Sequence, residues 1–210
     1  FDCVRSPSVC AFEASFDDDG SLSGIDHAVV AGWPTKTMAP GFIGTGIDGE
    51  GQIDGFSING ADHWYSLPAH RVRAINNELA QETFLPGWLR AVGPGWISWG
   101  VESFLDEIAH KQGQDPVAMR LGMLDGEGKN AGGVGSTAGG ARRLARVLKD
   151  VAERAGWGRN MPANEGLGIG VGHGQERGMP TWVACVAHGA VDPDSGDVTL
   201  KTLGQTMTVG

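Results

Sequence analysis

Alternation between hydrophobic and polar residues is clearest in the first third of the chain. Between residues 10 and 33, two apolar or alternating runs flank the acidic turn Asp17–Gly20, and this pattern predicts a β-hairpin. The alternation returns at residues 72–76, which are predicted to form another strand. Residues 1–84 are therefore predicted to be a β-rich segment, and residues 34–60 are predicted to be its long Gly-rich loop.

The middle of the chain changes to helical periodicity. From Val101 onward, apolar residues recur three and four positions apart until Gly113, which predicts an amphipathic helix with a glycine stop. An Asp-Pro pair at residues 115–116 supplies an N-cap and a proline at the first helical position of a second helix. A third helix is predicted at residues 144–152. Residues 85–158 are thus predicted to be an arginine-containing turn followed by helices.

The last quarter of the chain, residues 159–210, is predicted to be β-strands. From Gly166 to Gly174 every second residue is glycine, so the predicted strand carries side chains on one face only. A hairpin is predicted around the turn Asp192–Gly196. The three segments together predict an α+β fold with mixed or antiparallel strands and three helices.

Composition excludes several classes of function. The chain has 210 residues and a net charge of −9, which argues against binding of nucleic acid. No apolar run is long enough to span a membrane. The three cysteines include no Cys-x-x-Cys pair, so an iron–sulfur cluster with four thiolate ligands is excluded. A disulfide between Cys3 and Cys10 and buried free thiols are both compatible with the spacing, and free thiols are favoured. Because the first residue is Phe, we expect a piece of a longer protein.

Three motifs that resemble ligand sites are weak. The glycines of Gly44–Gly49 match the spacing of a dinucleotide-binding loop, but no strand precedes them and no helix is predicted to follow. The acidic turn Asp17–Gly20 lacks the later ligands of a calcium loop. His63 and His70 have no further ligand at metal-binding spacing, so hydrogen-bonded or solvated histidines are favoured.

The turn before the first long helix has a composition suited to anions. Arg90 offers a planar fork of donors for phosphate or carboxylate. Gly93 and Gly95 have no side chain to keep a ligand from the backbone, and the following helix is expected to offer unpaired N–H groups. These features predict an anion-binding corner. On pattern alone, an ordinary turn with a surface arginine is the more common interpretation.

Three motifs resemble a known family. They are Gly87–Gly93 (GWLRAVG), Val101–Ala109 (VESFLDEIA) and Asp115–Leu121 (DPVAMRL). Their order and spacing are similar to those in the molybdopterin-binding large subunit of the xanthine dehydrogenase/aldehyde oxidase family. The bacterial branch with isoquinoline 1-oxidoreductase and the cytochrome-linked aldehyde dehydrogenases is the one they resemble most. The resemblance covers nearly the whole chain, which would be an internal fragment forming part of a molybdenum cofactor-binding domain.

The resemblance implies a reaction and a set of partners. In the family, a molybdenum centre on a pyranopterin hydroxylates an electrophilic carbon with oxygen from water, and electrons leave through iron–sulfur clusters. The implied substrates are aldehydes or N-heterocycles, and the implied cofactor is molybdopterin in its cytosine dinucleotide form. The implied partners are the rest of the large subunit, a small 2Fe-2S subunit and a cytochrome c subunit. The implied location is periplasmic or membrane-associated. Substrate, electron acceptor and oligomeric state are not determined.

The resemblance also assigns cofactor-binding residues. Arg90, Ala91 and Gly93 match the turn that touches the cofactor in the family. The family's Gly-Gly-Phe-Gly segment over the metal and its catalytic glutamate do not occur in this sequence. No catalytic residue is therefore assigned, and we expect the isolated chain to bind no molybdenum and to have no oxidase activity.

Three residues match substrate-pocket positions of the family. Leu89 and Val92 stand where the xanthine-oxidising branch has phenylalanines that sandwich an aromatic substrate, so the resemblance argues against purines. Gly172 matches a further pocket position.

Two other functions are compatible with the same residues. The first is that of a non-catalytic scaffold or subunit-interaction module of the same fold. The second is that of a small-anion-binding module that uses the turn at Arg90.

Overall fold

A computed structural model describes residues 3–46, 49, 51–61, 63–124, 140–176 and 179–209, without the side chains of residues 175, 176, 179 and 180. The described residues form two compact units, which divide in sequence between Ile108 and Ala109. The α+β fold class predicted from the sequence is confirmed. The division into segments 1–84, 85–158 and 159–210 stays a prediction.

The described elements of the first unit are the strands β1 (Ser8–Phe16), β2 (Leu22–Ala31), β3 (Gly44–Thr45), β4 (Gln52–Ile53) and β5 (His70–Asn76), the helices α1 (Pro34–Met38), α2 (Gly55–Ile58) and α3 (Glu78–Phe84), and most of α4 (Pro94–Gln112). Those of the second unit are the end of α4, the helices α5 (Pro116–Met123) and α6 (Gly140–Ala155), and the strands β6 (Glu165–Glu176), β7 (Met179–Val191) and β8 (Val198–Val209). The three predicted helices are α4, α5 and α6. The short helices α1–α3 were not predicted, because one or two turns are too short to show a periodic pattern.

The first unit is built on a mixed sheet with strand order β1-β2-β5. The predicted hairpin is confirmed by the antiparallel pairing of β1 with β2, and β5 adds to β2 in parallel. Phe12, His27 and Val72 form one cross-strand row on the inner face. The ring of Phe104 on α4 stacks on Phe12 with centroids 4.9 Å apart. A Cβ at Gly100 would lie 3.2 Å from the Phe12 ring, so this glycine lets α4 approach the sheet closely.

The Gly-rich loop at residues 34–60 is more ordered than predicted. It contains α1, the short pair β3–β4 and α2, and these elements surround the buried carboxylate of Asp54. Asp54 accepts hydrogen bonds from the Thr35 amide at 3.0 Å, from the Thr35 hydroxyl at 2.6 Å and from the Phe56 amide at 3.0 Å. The predicted loop thus contains short elements that its sequence pattern does not show, and the buried Asp54 side chain joins its two ends.

His27 is the titratable side chain at the centre of the first unit. It is fully buried and stacks on Phe12 with ring centroids 4.0 Å apart. Among the residues that the structure describes, none forms a hydrogen bond with either ring nitrogen. Burial, with a smaller contribution from the charge of His70, lowers the pKa of His27 from 6.5 to about 4, against the opposing effect of Asp26. His27 is therefore neutral at pH 7.

In the second unit, α6 covers one face of an antiparallel sheet with strand order β6-β7-β8. The predicted apolar face of α6 is confirmed, since Leu144, Val147, Leu148 and Val151 are all buried. Trp182, on β7, is also fully buried. This sheet and its helix form the core of the second unit.

Polar contacts at two points attach α6 to the sheet. The guanidinium of Arg143 lies 4.1 Å from the Trp182 ring centroid and donates a hydrogen bond to the Thr208 hydroxyl at 2.9 Å. The Thr206 hydroxyl donates to Asp150 at 2.8 Å. Arg143 is therefore not simply a solvated charge on the polar side of the helix, because its side chain packs over an aromatic ring.

The three cysteines are free, and the Cys3–Cys10 disulfide left open by the spacing is not formed. Burial raises the pKa of the Cys10 and Cys185 thiols. Within the described ranges, none of the helices combines the length and apolar character that crossing a bilayer requires.

We predict that His27 makes the chain sensitive to acid. The folded pKa of about 4 lies below the ordinary value of 6.5, so protonation favours the unfolded chain. The stabilisation from neutral His27 is complete above pH 6.5 and is lost as the pH falls towards about 4. The loss approaches about 3 kcal/mol, the free energy that corresponds to this pKa difference. Urea unfolding of His27→Leu at several pH values should lack this acid-dependent component.

The control is His110→Leu, which changes an exposed histidine on α4. It should retain the full loss of stability in acid. An equal loss in His27→Leu and in the unmodified chain would show that another group is responsible.

We also predict that Arg143 stabilises the second unit. Arg143→Leu keeps an apolar side chain over Trp182 but removes the cation–π contact and the hydrogen bond to Thr208. The expected cost is about 1–2 kcal/mol in urea unfolding. The matched variant Arg146→Leu, at an exposed position on α6, should change stability by less than about 0.5 kcal/mol. Equal effects of the two variants would contradict the prediction.

Candidate functional site

The predicted site residues fall in two places. Residues 89–93 lie in the bend between α3 and α4 in the first unit, and Gly172 lies on β6 in the second unit. Each place is therefore a separate candidate, and the bend carries most of the predicted residues.

The bend has an unusual backbone. Ala91 has φ +70° and Val92 has φ +39°, so two consecutive residues other than glycine adopt the left-handed conformation. Each such residue costs about 1–2 kcal/mol relative to a right-handed one. The amide of Val92 donates to the carbonyl of Leu89 at 2.8 Å, which closes a tight turn around Arg90. Strain of this kind persists only where the surroundings hold it, and it is common at functional sites.

A second arginine, Arg5, forms hydrogen bonds with the backbone of the bend. Arg5 donates to the carbonyl oxygens of Arg90 at 3.0 Å and of Val92 at 3.3 Å. A Cβ at Gly95 would collide with the Arg5 guanidinium, so that glycine makes room for Arg5. Sequence reasoning missed Arg5, because no local signal connects it with a bend 85 residues away.

The space above Gly93 is also filled by protein. A Cβ there would lie 2.6 Å from the Phe56 carbonyl oxygen and 2.7 Å from that of Asn59. The Gly93 amide donates to the Phe56 carbonyl at 3.1 Å. The prediction that Gly93 and Gly95 leave the backbone open to a ligand is therefore wrong. Contact of Gly93 with a cofactor stays a prediction, with no support from this packing.

The first amides of α4 are not free. Gly95 donates to the carbonyl of Val92 at 3.1 Å, and Trp96 and Ile97 donate to that of Gly93 at 3.0 and 2.9 Å. The prediction of unpaired N–H groups at this helix start is wrong, because the bend turns its own carbonyls towards them.

Three donor groups of the bend remain available. The side chain of Arg90 is exposed, and no described residue accepts a hydrogen bond from its backbone amide or from that of Ala91. An exposed guanidinium and two backbone amides from the same tight turn are donor groups that suit an anionic group. Arg90 and Ala91 thus remain candidates for holding a cofactor.

The surface beside Arg90 is apolar. Trp88 and Phe56 lie with ring centroids 5.3 Å apart, and the Trp88 indole donates to the Thr35 hydroxyl at 3.3 Å. Leu89 is 39% exposed, and Val92 is half-buried. The bend therefore places a charged donor next to an aromatic and aliphatic surface. Phe56 was missed from sequence, because a distant loop brings it here.

Gly172 lies on the face of its sheet opposite α6. It pairs with Val183 of β7, and a Cβ at this glycine would lie 3.4 Å from a Val183 methyl carbon. The position is half-buried and apolar. Its role as a pocket residue stays a prediction.

Other titratable side chains form contacts of a structural kind. His63 stacks on His70 with centroids 4.6 Å apart, and His63 is buried. Glu165 is bound by Lys201 and by His188, whose Nε2 lies 2.7 Å from the carboxylate. The bonds to Lys201 and then to His188 hold the pKa of Glu165 below its usual value. In the part of the chain that the structure describes, no three His, Cys, Asp or Glu side chains cluster closely enough to bind a metal ion.

Comparison with known proteins shows similarity in sequence to an aldehyde dehydrogenase. No family model matches the chain. The chain is 48% identical over 211 aligned residues to the membrane-bound aldehyde dehydrogenase (pyrroloquinoline-quinone) of Gluconacetobacter polyoxogenes. The alignment includes 100% of this chain and 27% of that protein, so the chain spans about a quarter of its relative's length.

Two solved structures are also similar. The aldehyde oxidoreductase from Desulfovibrio gigas has a TM-score of 0.49 and 18% identity, covering 94% of this chain and 21% of that one. The aldehyde oxidoreductase from Desulfovibrio desulfuricans ATCC 27774 has a TM-score of 0.48 and 17% identity, covering 93% and 21%.

We predict that the bend cannot tolerate a side chain at residue 93. In Gly93→Ala the new methyl group would meet two carbonyl oxygens of the loop, and the expected cost is about 2–4 kcal/mol in urea unfolding. The control is Gly122→Ala on α5, where nothing lies within 4 Å of the added Cβ. This control should be neutral or stabilising by up to about 1 kcal/mol. Similar stability of the two variants would show that the loop does not pack against the bend.

Proposed function

Because this chain belongs to the xanthine dehydrogenase/aldehyde oxidase family, we propose that it is an internal segment of a molybdenum-dependent large subunit that oxidises aldehydes. Support comes from the 48% identity to an aldehyde dehydrogenase along the whole chain. Further support comes from the three family-like motifs, which lie at the bend, on α4 and on α5. The substrate class and the whole protein's activity are part of the proposal.

One observation carries the proposed cofactor contact. The exposed guanidinium of Arg90 and the available amides of Arg90 and Ala91 stand together in the turn that resembles the family's cofactor-binding turn. This donor set fits an anionic cofactor group, such as the phosphates of the cytosine dinucleotide form of molybdopterin. The cofactor, when bound, would accept the two electrons that the aldehyde loses. The chain's own contribution is to bind and orient it, with Arg5 keeping the bend in shape.

The name of the relative mentions a different cofactor, pyrroloquinoline-quinone. That quinone is also an anion, so the donors of the bend alone do not distinguish it from molybdopterin. The motif resemblance favours molybdopterin, and the experiment below separates the two.

The apolar surface beside Arg90 supports a substrate class. Leu89 and Val92 are aliphatic, and the Phe56–Trp88 pair adds exposed aromatic surface. We propose aldehydes with apolar substituents as substrates, with N-heterocycles as the next candidates. Leu89 and Val92 are the proposed pocket residues at the bend, and Gly172 is a separate proposed pocket residue of the second unit.

The proposed partners follow from the same assignment. They are the rest of the large subunit, a small 2Fe-2S subunit and a cytochrome c subunit. Membrane association is proposed because the relative's name describes it as membrane-bound. A non-catalytic scaffold of the same fold is the second candidate, and the exposed apolar residues of β8 favour it.

The test is made on the full-length large subunit. We expect bound molybdenum by mass spectrometry and aldehyde-dependent dye reduction. Arg90→Lys should lower kcat/KM by about 100-fold or more, because a single ammonium does not replace a guanidinium fork. Since Arg90 is exposed, the melting temperature should not change. Arg146→Lys, at an exposed position on α6, is the matched control and should keep full activity.

Two outcomes would overturn the proposal. Activity that depends on added pyrroloquinoline-quinone in protein without molybdenum would assign the other cofactor. A full-length subunit that binds neither cofactor would favour the scaffold. The 210-residue chain alone should contain no stoichiometric molybdenum, and finding it would contradict the view that the rest of the subunit is needed.

A further inference from the structure

The sheet of the second unit is covered on one face only. Along β7, the side chains of Trp182, Ala184 and Val186 point towards α6 and are buried. The alternate residues Val183, Cys185 and Ala187 point the other way and are only half-buried. We call the face that carries these alternate residues the open sheet face.

Glycines form one side of the open sheet face. They pair with the alternate residues of β7, as Gly168 pairs with Ala187, Gly170 with Cys185 and Gly172 with Val183. A Cβ at Gly168 would have nothing within 4 Å. At Gly168 the strand therefore leaves space that none of the described residues fills.

The other side of the open sheet face is strongly hydrophobic. Leu203 is 60% exposed, Met207 is 56% exposed and Val209 is 64% exposed. They stand opposite Ala187, Val183 and Thr181 in the pairing of β7 with β8. Strand β8 also lies at the edge of the three-stranded sheet, and Lys201 is the single charged side chain in its range. A long edge strand that exposes several apolar side chains and carries one charge is a candidate site of association.

This composition is that of a protein interior. The described positions of the open sheet face have small or apolar side chains, apart from Thr181 and from Gln205, which stands opposite Cys185, and none of these positions is charged, whereas exposed surfaces are rich in charge. A sheet that is apolar on both faces requires a layer on each of them, and α6 supplies one. The second layer must come from outside the described residues of this unit.

The relative indicates what that layer is. This chain aligns along its whole length with 27% of the aldehyde dehydrogenase of Gluconacetobacter polyoxogenes, so nearly three quarters of the relative lies outside the alignment. Resting on the proposed function, we propose that the remaining polypeptide of the same large subunit packs on the open sheet face, with its backbone close to the glycines of β6. The same layer would form the second wall of a pocket at Gly172.

Labelling of Cys185 tests the proposal directly, since this thiol lies in the middle of the open sheet face. The rate of maleimide modification at Cys185 is measured by peptide mass spectrometry in the native full-length subunit and in the 210-residue chain. The full-length subunit unfolded in urea gives the rate for a fully accessible thiol. We expect native full-length subunit to react at Cys185 at least about tenfold more slowly than the 210-residue chain. A cysteine introduced by Lys149→Cys, at an exposed position on α6, should react at similar rates in both proteins.

A pair of glycine variants supplies a second test. Gly168→Ala and Gly122→Ala both add a methyl group that meets nothing within 4 Å in this chain. Both should leave the melting temperature of the 210-residue chain unchanged or raised. In the full-length subunit, only Gly168→Ala should lower it, because the new methyl group would meet the covering polypeptide.

The outcomes separate this inference from the proposed function. Fast labelling of Cys185 in an active, molybdenum-containing full-length subunit would overturn the inference alone. Protection of Cys185 in a subunit that oxidises no aldehyde would overturn the proposed function alone. If the 210-residue chain forms a dimer whose dissociation on dilution exposes Cys185, a second copy occupies the face and the inference is wrong.

Discussion

The candidate site depends on the close approach of the Phe56–Asn59 backbone to Gly93. The Gly93 amide bonds to the Phe56 carbonyl, and only a residue without a side chain fits there. This contact fixes one end of a bend in which Ala91 and Val92 adopt left-handed conformations. Without it, the strain of those two residues would be released, and the turn that carries Arg90 would change its shape.

The loop that makes this contact is itself held in place by the buried side chain of Asp54. Asp54 binds the backbone and side chain of Thr35 and caps the short helix that begins at Gly55. Thr35 in turn accepts the indole hydrogen bond of Trp88, beside the bend. One carboxylate thus connects the folded loop with the aromatic surface next to Arg90, and its full burial makes each of these hydrogen bonds important.

The second unit shows a different constraint. Helix α6 covers one face of the sheet and is fixed there by Arg143 and Asp150, while the opposite face has glycines and exposed apolar residues. Hydrophobic burial is therefore incomplete within the described chain. This incomplete burial is consistent with the alignment, in which the whole chain matches only about a quarter of a longer relative.

The sequence by itself determined the elements and the family. Alternation predicted the β1–β2 hairpin, helical periodicity predicted α4 and α6, the Asp-Pro cap predicted α5, and the glycine repeat predicted a strand with one bare face. These are local patterns, set by residues within a few positions of one another. The three motifs that resemble the family are visible for the same reason, because each is contiguous and their order and spacing can be taken directly from the sequence.

Tertiary structure decided what surrounds those elements. It placed Arg5 and Phe56 against the bend, filled the space over Gly93 and buried His27 beneath Phe12. It also decided that the amides at the start of α4 are already bonded. Each of these facts joins residues distant in sequence or depends on backbone angles, and no local pattern encodes either. The sequence thus determined which residues could bind an anion, and only folding decided which donors remain free to do so.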